Sequence, residues 1–208
     1  MLLCDIGNTT LDFLDENGVL TKESVESFEP QSISEEVYFI SVNATLNERV
    51  KDLKNWINLK NYLDMNRYYP TMGIDRICAV EAIKQGVVVD AGSAITVDVV
   101  REGSFMGGFI YPGVRAMGSA YRGISTALDY DFNFSLPLDK LPKNSQDAIS
   151  YGFLKTLQSE VLSHDLPIIL TGGDASKLHH IFPNATLNTT LIFEGMKNIL
   201  SQQSQKSS

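Results

Sequence analysis

The sequence is poor in the residues that usually form thiol, disulfide and zinc sites. Its 208 residues include only two cysteines and three histidines. None of the histidines has the spacing of a metal-ligand set or adjoins a nucleophile motif, which favours surface or helix-end positions for them. Cys4 and Cys78 each lie in an apolar pattern, and this favours two small buried side chains over a disulfide or a reactive thiol.

Two common nucleotide-binding signatures are also missing. The chain contains no GxxxxGK[ST] segment, and no GxGxxG segment follows a strand pattern. These absences exclude a P-loop enzyme and argue against a dinucleotide-binding fold or a protein kinase. A phosphate-binding function would therefore need another kind of glycine-containing turn.

Positive charge is scarce as well, since the formal net charge is -8. An acidic chain repels phosphate backbones, so we expect no nucleic-acid partner. No basic amphipathic stretch is present, and we expect no binding to a membrane surface. No charged leader precedes the first apolar run and no stretch approaches the length of a membrane span, which predicts a cytoplasmic protein.

Strand and helix patterns alternate along the chain, and this alternation predicts an α/β fold. Apolar strand patterns occupy residues 37–42 and 166–170. Helical spacing occupies residues 43–60, 73–86, 144–163 and 191–200. The polar tail, residues 201–208, is predicted to be disordered.

One pattern occurs twice. The segment LLCDIGNTTLDF opens the chain, and VVVDAGSAITVDVV resembles it near the middle. Each has an apolar run that ends in aspartate, a glycine turn, a threonine and an apolar-Asp-apolar triplet. Such a repeat predicts two duplicated lobes, residues 1–84 and 85–208. The alternative is a chance similarity of two short β-hairpins.

The two Asp-x-Gly turns are candidates for a phosphate cradle. Gly7 and Gly92 have no Cβ, so backbone amides can approach a phosphate closely. An acid at the end of each strand, Asp5 or Asp90, could hold a cation that shields phosphate charge. Two such turns, each after a buried strand, predict a nucleotide held in a cleft between two lobes.

Two other segments have both a structural and a functional interpretation. Thr171-Gly172-Gly173 could let a flat group lie against the backbone, or could form a tight strand-to-helix turn. Asp75 could be an ordinary acid in the first turn of a helix, with Arg76 as a surface charge. Alternatively, Asp75 could accept the proton of an attacking hydroxyl and Arg76 could bind a carboxylate or phosphate.

With these motifs in order, the chain resembles the type III pantothenate kinases. The segments that carry the resemblance are DIGNTT, GIDR, VVVDAGSAIT, GGFIYPGV and TGGDA. The resemblance spans nearly the whole chain. It implies two duplicated actin-like (ribonuclease H-like) lobes with mixed sheets and an interlobe cleft. It also implies ATP-dependent phosphorylation of pantothenate, with a divalent metal such as Mg²⁺, a monovalent cation (K⁺ or NH₄⁺) and a homodimer.

The resemblance assigns a role to each motif. Asp75 would be the proton acceptor, Asp5 would lie near the divalent metal, and Asp90 would hold the monovalent cation. The ATP contacts would be Asp5, Ile6, Gly7, Asn8, Thr9, Thr10, Leu11, Asp12 and Ser93. The pantothenate contacts would be Tyr69, Gly73, Ile74, Asp75, Arg76 and Ser145.

Some positions depart from the family pattern. Ser93 and Ser145 stand where the family usually has threonine, which keeps the hydroxyl. The segment before Gly73 is shortened, so either Tyr69 or Tyr68 could be the pantothenate contact, and we favour Tyr69. Other functions within the superfamily remain open: sugar phosphorylation, polyphosphate hydrolysis, or a non-catalytic role as a transcription accessory protein.

Overall fold

The computed structural model describes residues 1–206, which form two compact units. The first unit comprises Met1–Ala82 and the segment that begins at Thr190, and the second comprises Ile83–Thr189. No helix in the described part of the chain is long and apolar enough to cross a membrane.

The first unit is built on a five-stranded mixed sheet. Its strands are β1 (Leu2–Ile6), β2 (Thr10–Leu14), β3 (Leu20–Ser24), β4 (Val37–Ser41) and β5 (Trp56–Asn58), in the order β3-β2-β1-β4-β5. Strands β1 to β3 form an antiparallel meander, while β4 and β5 run parallel to β1. The helices are α1 (Ala44–Val50), α2 (Ile74–Glu81) and α6 (Leu191–Lys206).

Helix α1 is shorter than its apolar spacing predicts. Asn43 caps it, since its side chain accepts a hydrogen bond from the Leu46 amide. The helix ends at Val50, however, and Trp56 begins strand β5. The indole packs in a cluster with Phe13, Phe28 and Phe39. Burial of this large ring beside other aromatic rings favours the strand over a continued helix.

The second unit contains a second five-stranded mixed sheet. Its strands are β6 (Gly86–Ala91), β7 (Ala94–Arg101), β8 (Ser104–Pro112), β9 (Ile168–Thr171) and β10 (Thr186–Leu187). The helices are α3 (Val114–Ile124), α4 (Ser145–Ser163) and α5 (Ala175–Leu178). Helix α4 buries Phe153, Leu154, Leu157 and Val161 against the sheet, and its bounds agree with the predicted helix.

The two sheets have the same strand order. The order β8-β7-β6-β9-β10 repeats that of the first unit, with three antiparallel strands followed by two that are parallel to the first. Chance similarity of two hairpins would not reproduce the remaining strands. The predicted duplicated α/β fold is therefore confirmed.

The last helix requires a correction to the predicted division. Residues 190–206 belong to the first unit and not to the second, and the break near residue 84 falls after Ala82. Residues 201–206, predicted to be disordered, continue α6 to Lys206. The Gln203 side chain donates to the Tyr62 backbone oxygen at 2.7 Å, which attaches this polar end to the unit. Residues 207–208 lie outside the described residues.

Helix α6 crosses α2 at a glycine. A Cβ added to Gly195 would lie 1.7 Å from the backbone oxygen of Cys78. No side chain fits in that space, so the crossing depends on glycine at this position. Because α2 carries the Asp75-Arg76 motif, this crossing also supports the helix that carries the predicted substrate contacts.

We expect Gly195→Ala to destabilise the protein, because the added methyl forces α2 and α6 apart. Overpacking of this kind lowers the free energy of unfolding by about 1–3 kcal/mol. Gly123→Ala in α3 is the matched control, since nothing lies within 4 Å of its added Cβ. Urea denaturation measures both variants. Equal midpoints for Gly195→Ala and the wild type would contradict the close crossing.

Candidate functional site

Hydrogen bonds from two other segments of the chain fix the turn between β1 and β2. The Gly7 amide donates to the Thr10 oxygen at 2.9 Å and closes the turn. The Val25 amide donates to the Thr9 oxygen at 3.1 Å, and the Asn43 side chain donates to the Asn8 oxygen at 3.3 Å. Asn8 and Thr9 are themselves exposed. The turn thus offers exposed polar groups on a fixed backbone, as a phosphate-binding turn requires.

Two aspartates lie opposite each other beneath this turn. Asp5 pairs in register with Asp12, and Asp12 pairs in register with Lys22 of β3. Lys22 Nζ lies 3.1 Å from Asp12 Oδ1. Like charges at directly opposed positions destabilise an antiparallel pair, and a cation beside them relieves the repulsion. Lys22 supplies one such positive charge.

These carboxylates suit a divalent cation that also binds phosphate. Mg²⁺ is usually held by one or two carboxylates together with substrate phosphates. Among residues 1–206, no group of three or more His, Cys, Asp or Glu could hold a metal ion by itself. Asp5 and Asp12 therefore fit a metal that arrives with a nucleotide better than a metal held by protein ligands alone.

Helix α2 carries a fully buried thiol, Cys78. Burial raises the pKa of Cys78 well above its ordinary value, and the charges of Asp5, Asp75 and Glu81 raise it further. All three carboxylates therefore lie close enough to Cys78 to act on it. Asp5, from the predicted phosphate-binding turn, and Asp75, from the predicted substrate motif, both belong to the first unit.

The first turn of α2 places Asp75. Gly73 is the N-terminal cap residue, and the Asp75 Oδ1 atom accepts a hydrogen bond from the Arg76 amide at 2.8 Å. A Cβ on Gly73 would lie 2.4 Å from the same oxygen. The carboxylate thus folds back over the start of the helix, next to Gly73. Asp75 remains partly exposed.

Arg76 is not the surface charge that one interpretation allowed. It is only 5% exposed, and its Nη1 donates to the Tyr69 hydroxyl. Its guanidinium carbon also lies 5.7 Å from the centre of the Tyr69 ring. The ring itself is 39% exposed. A buried guanidinium beside an accessible phenol forms a polar surface that can bind an anionic or hydroxylated ligand.

The structure distinguishes the two neighbouring tyrosines. Tyr68 is buried and donates from its hydroxyl to Glu81 Oε1, whereas Tyr69 contacts Arg76. The contact of Tyr69 with Arg76, within the predicted substrate motif, supports the choice of Tyr69. Glu81 received no role from the sequence, where it is simply the acid at the end of an apolar helix.

The second turn, between β6 and β7, is one residue tighter than the first. The Gly92 amide donates to the Ala94 oxygen at 3.1 Å. Asp90 consequently pairs with Thr96, while Asp98 pairs with Val88 and is fully buried. The apolar-Asp-apolar triplets that match in sequence are therefore not equivalent in register. One carboxylate, and not an opposed pair, lies at the end of this hairpin.

Two glycines pack directly against the second turn. A Cβ on Gly113 would lie 2.2 Å from the Ser93 oxygen, and one on Gly172 would lie 2.3 Å from Asp90 Oδ1. Gly172 also has φ of +86°, and the Asp174 amide donates to the Ala91 oxygen at 2.9 Å. These contacts explain Thr171-Gly172-Gly173 as a tight turn that supports Asp90.

Ser145 lies elsewhere in the second unit, as the first residue of α4. Asn144 caps the helix by accepting a hydrogen bond from the Asp147 amide at 2.9 Å, and Ser145 is exposed. Hydrogen bonds from Asn133 and Asn144 hold the pKa of Asp147 below its ordinary value. The helix start is therefore well ordered, and the Ser145 hydroxyl is accessible.

Comparisons of sequence agree with these motifs. A family model of type III pantothenate kinases matches residues 40–163. A type III pantothenate kinase from Sulfurimonas denitrificans is 57% identical over 202 residues, which cover 97% of this chain and 98% of that protein. One from Campylobacter jejuni is 40% identical over 204 residues and 97% of each chain.

Comparisons of structure agree with the fold. A crystal structure from Campylobacter jejuni, assigned to the Baf family of transcriptional activators, has a TM-score of 0.86 and 38% identity, and the match covers 99% of this chain and 100% of that chain. A 2-dehydro-3-deoxygalactonokinase from Sinorhizobium meliloti has a TM-score of 0.57 at 10% identity, with 97% and 96% covered. The second likeness concerns the fold alone, and it agrees with the actin-like and sugar-kinase architecture.

The buried thiols predict a pH dependence of stability. Burial raises the pKa of both Cys4 and Cys78 above the ordinary value of 9.0, with smaller contributions from neighbouring aspartates. Their neutral forms stabilise the fold fully below pH 9, and this stabilisation is lost as pH rises, because the unfolded thiols ionise first. Above pH 9, each thiol causes the free energy of unfolding to fall by up to about 1.4 kcal/mol for every further pH unit.

Urea denaturation at pH 8 and pH 10 measures this loss. We expect the double variant Cys4→Ala/Cys78→Ala to lose less stability between the two pH values than the wild type. The comparison of slopes removes the contribution of other groups that titrate in this range. Equal slopes would show that the thiols are not buried as neutral groups.

Proposed function

This chain belongs to the type III pantothenate kinase family, and we propose that it catalyses ATP-dependent phosphorylation of pantothenate to 4'-phosphopantothenate, the first step of coenzyme A biosynthesis. The observation that carries this proposal is the cluster at the start of α2. There, Asp75 accepts a hydrogen bond from the backbone amide of the buried Arg76, whose guanidinium donates to Tyr69.

Phosphoryl transfer passes through a loose transition state, so the protein mainly positions groups and neutralises charge. The turn from Asp5 to Asp12 would bind the ATP phosphates through its amides and hydroxyls. Asp5 and Asp12 would hold the divalent metal, which supplies positive charge against the developing negative charge of the phosphates. Lys22, paired with Asp12, would help to orient that carboxylate.

Arg76 and Tyr69 would bind and orient pantothenate, with Gly73 and Ile74 forming the adjacent backbone. The guanidinium is a planar, permanently charged donor and suits the carboxylate of this substrate. Asp75 would accept the proton of the primary hydroxyl as the phosphoryl group is transferred. Its partial exposure leaves it accessible to that hydroxyl.

The second unit would contribute three further groups. Asp90, supported by Gly172, would hold a monovalent cation, either K⁺ or NH₄⁺. Its single carboxylate suits a singly charged ion better than an opposed pair of carboxylates would. Ser93 would contact ATP and Ser145 would contact pantothenate, each through an exposed hydroxyl.

The proposal includes a homodimer and a cytoplasmic location. The edge strand β8 carries Met106 and Ile110 at 60% and 64% exposure, and the neighbouring α3 buries no residue. Exposed apolar groups of this kind suit contact with a second copy. A monomeric mass in light scattering would contradict the dimer. The cytoplasm is proposed because ATP is available there.

A non-catalytic role as a transcription accessory protein is the second candidate, since one solved relative is assigned to a family of transcriptional activators. The net charge of -8 disfavours direct contact with DNA. Asp5 and Asp75, which catalysis needs, are both present. Binding to duplex DNA at physiological salt in a gel-shift assay, together with no turnover of pantothenate, would favour the second candidate.

We expect the wild type to release ADP with pantothenate, but not with hexoses, in a coupled assay. Asp75→Asn should lower kcat by about 10²–10⁴-fold, because loss of a positioned proton acceptor has that effect. Asp139→Asn, which changes an exposed carboxylate in the second unit, is the control and should retain kcat. A folded Asp75→Asn variant that binds ATP and keeps near wild-type kcat would contradict the assignment.

Asp90→Ala should weaken activation by potassium, because the variant lacks the carboxylate that would hold the ion. We expect the potassium concentration for half-maximal activity to rise at least about tenfold, the effect of losing about 1.4 kcal/mol of cation binding. The rate is measured across a potassium series, with Asp139→Ala as the control. An unchanged potassium dependence in Asp90→Ala would show that the cation binds elsewhere.

A further inference from the structure

Glu81 is a charged residue in an unusual place. It is the last residue of α2, and its side chain is only 6% exposed. A buried carboxylate is strongly destabilising unless its oxygens are paired and hydrogen-bonded. Glu81 therefore needs partners, and these come from the segment before α2 and from α6.

One set of partners comes from the segment before α2. Arg67 Nη1 lies 2.5 Å from Glu81 Oε1, and the Tyr68 hydroxyl donates to the same oxygen. Burial and this hydrogen bond raise the pKa of Tyr68, so the phenol remains a donor. The Arg67 guanidinium also lies 5.6 Å from the centre of the Tyr68 ring. Glu81 thus holds two consecutive side chains.

The other set of partners comes from α6. Gln202 Nε2 donates to Glu81 Oε2 at 3.4 Å, and Asn198 Nδ2 donates to the Glu81 backbone oxygen at 3.0 Å. Gly195 allows the close crossing that brings these side chains near. Glu81 is therefore fixed by α6 on one side while it binds Tyr68 on the other.

Tyr69, the next residue after Tyr68, contacts Arg76 near the start of the same helix. Glu81 and Arg76 are five residues apart, which is about 7.5 Å along a helix. Two neighbouring tyrosines are thus attached to α2 at two points. Attachment at a single point would leave the segment free to pivot, whereas two points determine where the Tyr69 hydroxyl lies.

We propose that Glu81 is a positioning residue, which holds Tyr69 against Arg76 through Tyr68 and Arg67 and so forms the pantothenate-binding surface. Glu81 itself touches no substrate. The inference rests on the proposed function for its kinetic consequence, but its structural part stands on the contacts alone. Both parts can be measured separately.

The kinetic test compares Glu81→Ala with the wild type. We expect KM for pantothenate to rise about tenfold, equivalent to about 1.4 kcal/mol of binding, while KM for ATP stays unchanged. Glu81→Gln keeps one carbonyl oxygen for the Tyr68 hydroxyl and should give an intermediate KM. Leu157→Ala, a buried change in α4, is the control for lost stability and should leave KM for pantothenate unchanged.

A double-mutant cycle tests the route of the effect. If Glu81 acts through Tyr69, Glu81→Ala should raise KM for pantothenate far less in a Tyr69→Phe background than in the wild type. Equal effects in the two backgrounds would overturn the proposal. So would a wild-type KM for pantothenate in Glu81→Ala, or equal changes in both KM values.

Hydrogen exchange gives a readout that needs no activity. Glu81→Ala should speed amide exchange in residues 67–72 by at least about tenfold, equivalent to about 1.4 kcal/mol of local stability, without a change in α1. Unchanged exchange in that segment would overturn the proposal whatever the kinetics show. A wild type that does not phosphorylate pantothenate would instead reject the proposed function, and exchange alone would then decide the role of Glu81.

Discussion

The burial of two opposite charges on one short helix organises the first unit. Helix α2 has only eight residues, yet both Arg76 and the Glu81 side chain are withdrawn from water. Either charge would strongly destabilise the fold if it were buried without partners. The Tyr69 hydroxyl accepts a hydrogen bond from Arg76. Arg67 forms a salt bridge with Glu81, and the Tyr68 hydroxyl donates a hydrogen bond to it. A segment with little regular structure is thereby ordered along the helix that carries Asp75.

The same helix depends on contacts far away in the chain. Helix α6 begins more than a hundred residues after α2 and packs on it at Gly195. Its polar last turns bind Glu81 and the backbone of Tyr62. Along the chain, the second unit lies between the two segments that form the first unit. The helix that carries Asp75 and Arg76 is thus packed at a crossing that leaves no room for a side chain.

Duplication produced two similar sheets with different turns. The second turn is one residue shorter and Asp98 is one residue further from its glycine than Asp12 is, so Asp98 pairs with Val88 instead of Asp90 and is buried. The first hairpin keeps two opposed carboxylates, and the second keeps one, supported by Gly172. This asymmetry is consistent with a divalent metal at Asp5 and a monovalent cation at Asp90.

The sequence alone determined the features that depend on local hydrogen bonds. The two Asp-x-Gly turns and helix α4 follow from neighbouring residues, because a turn or a helical pattern is completed within a few positions. Only the tertiary structure decided that Arg76 is buried, that Tyr69 contacts it, and that the Glu81 side chain is buried and paired. Those outcomes depend on which distant surfaces meet, and no local pattern records the cost of burying a charge or the partner that offsets it.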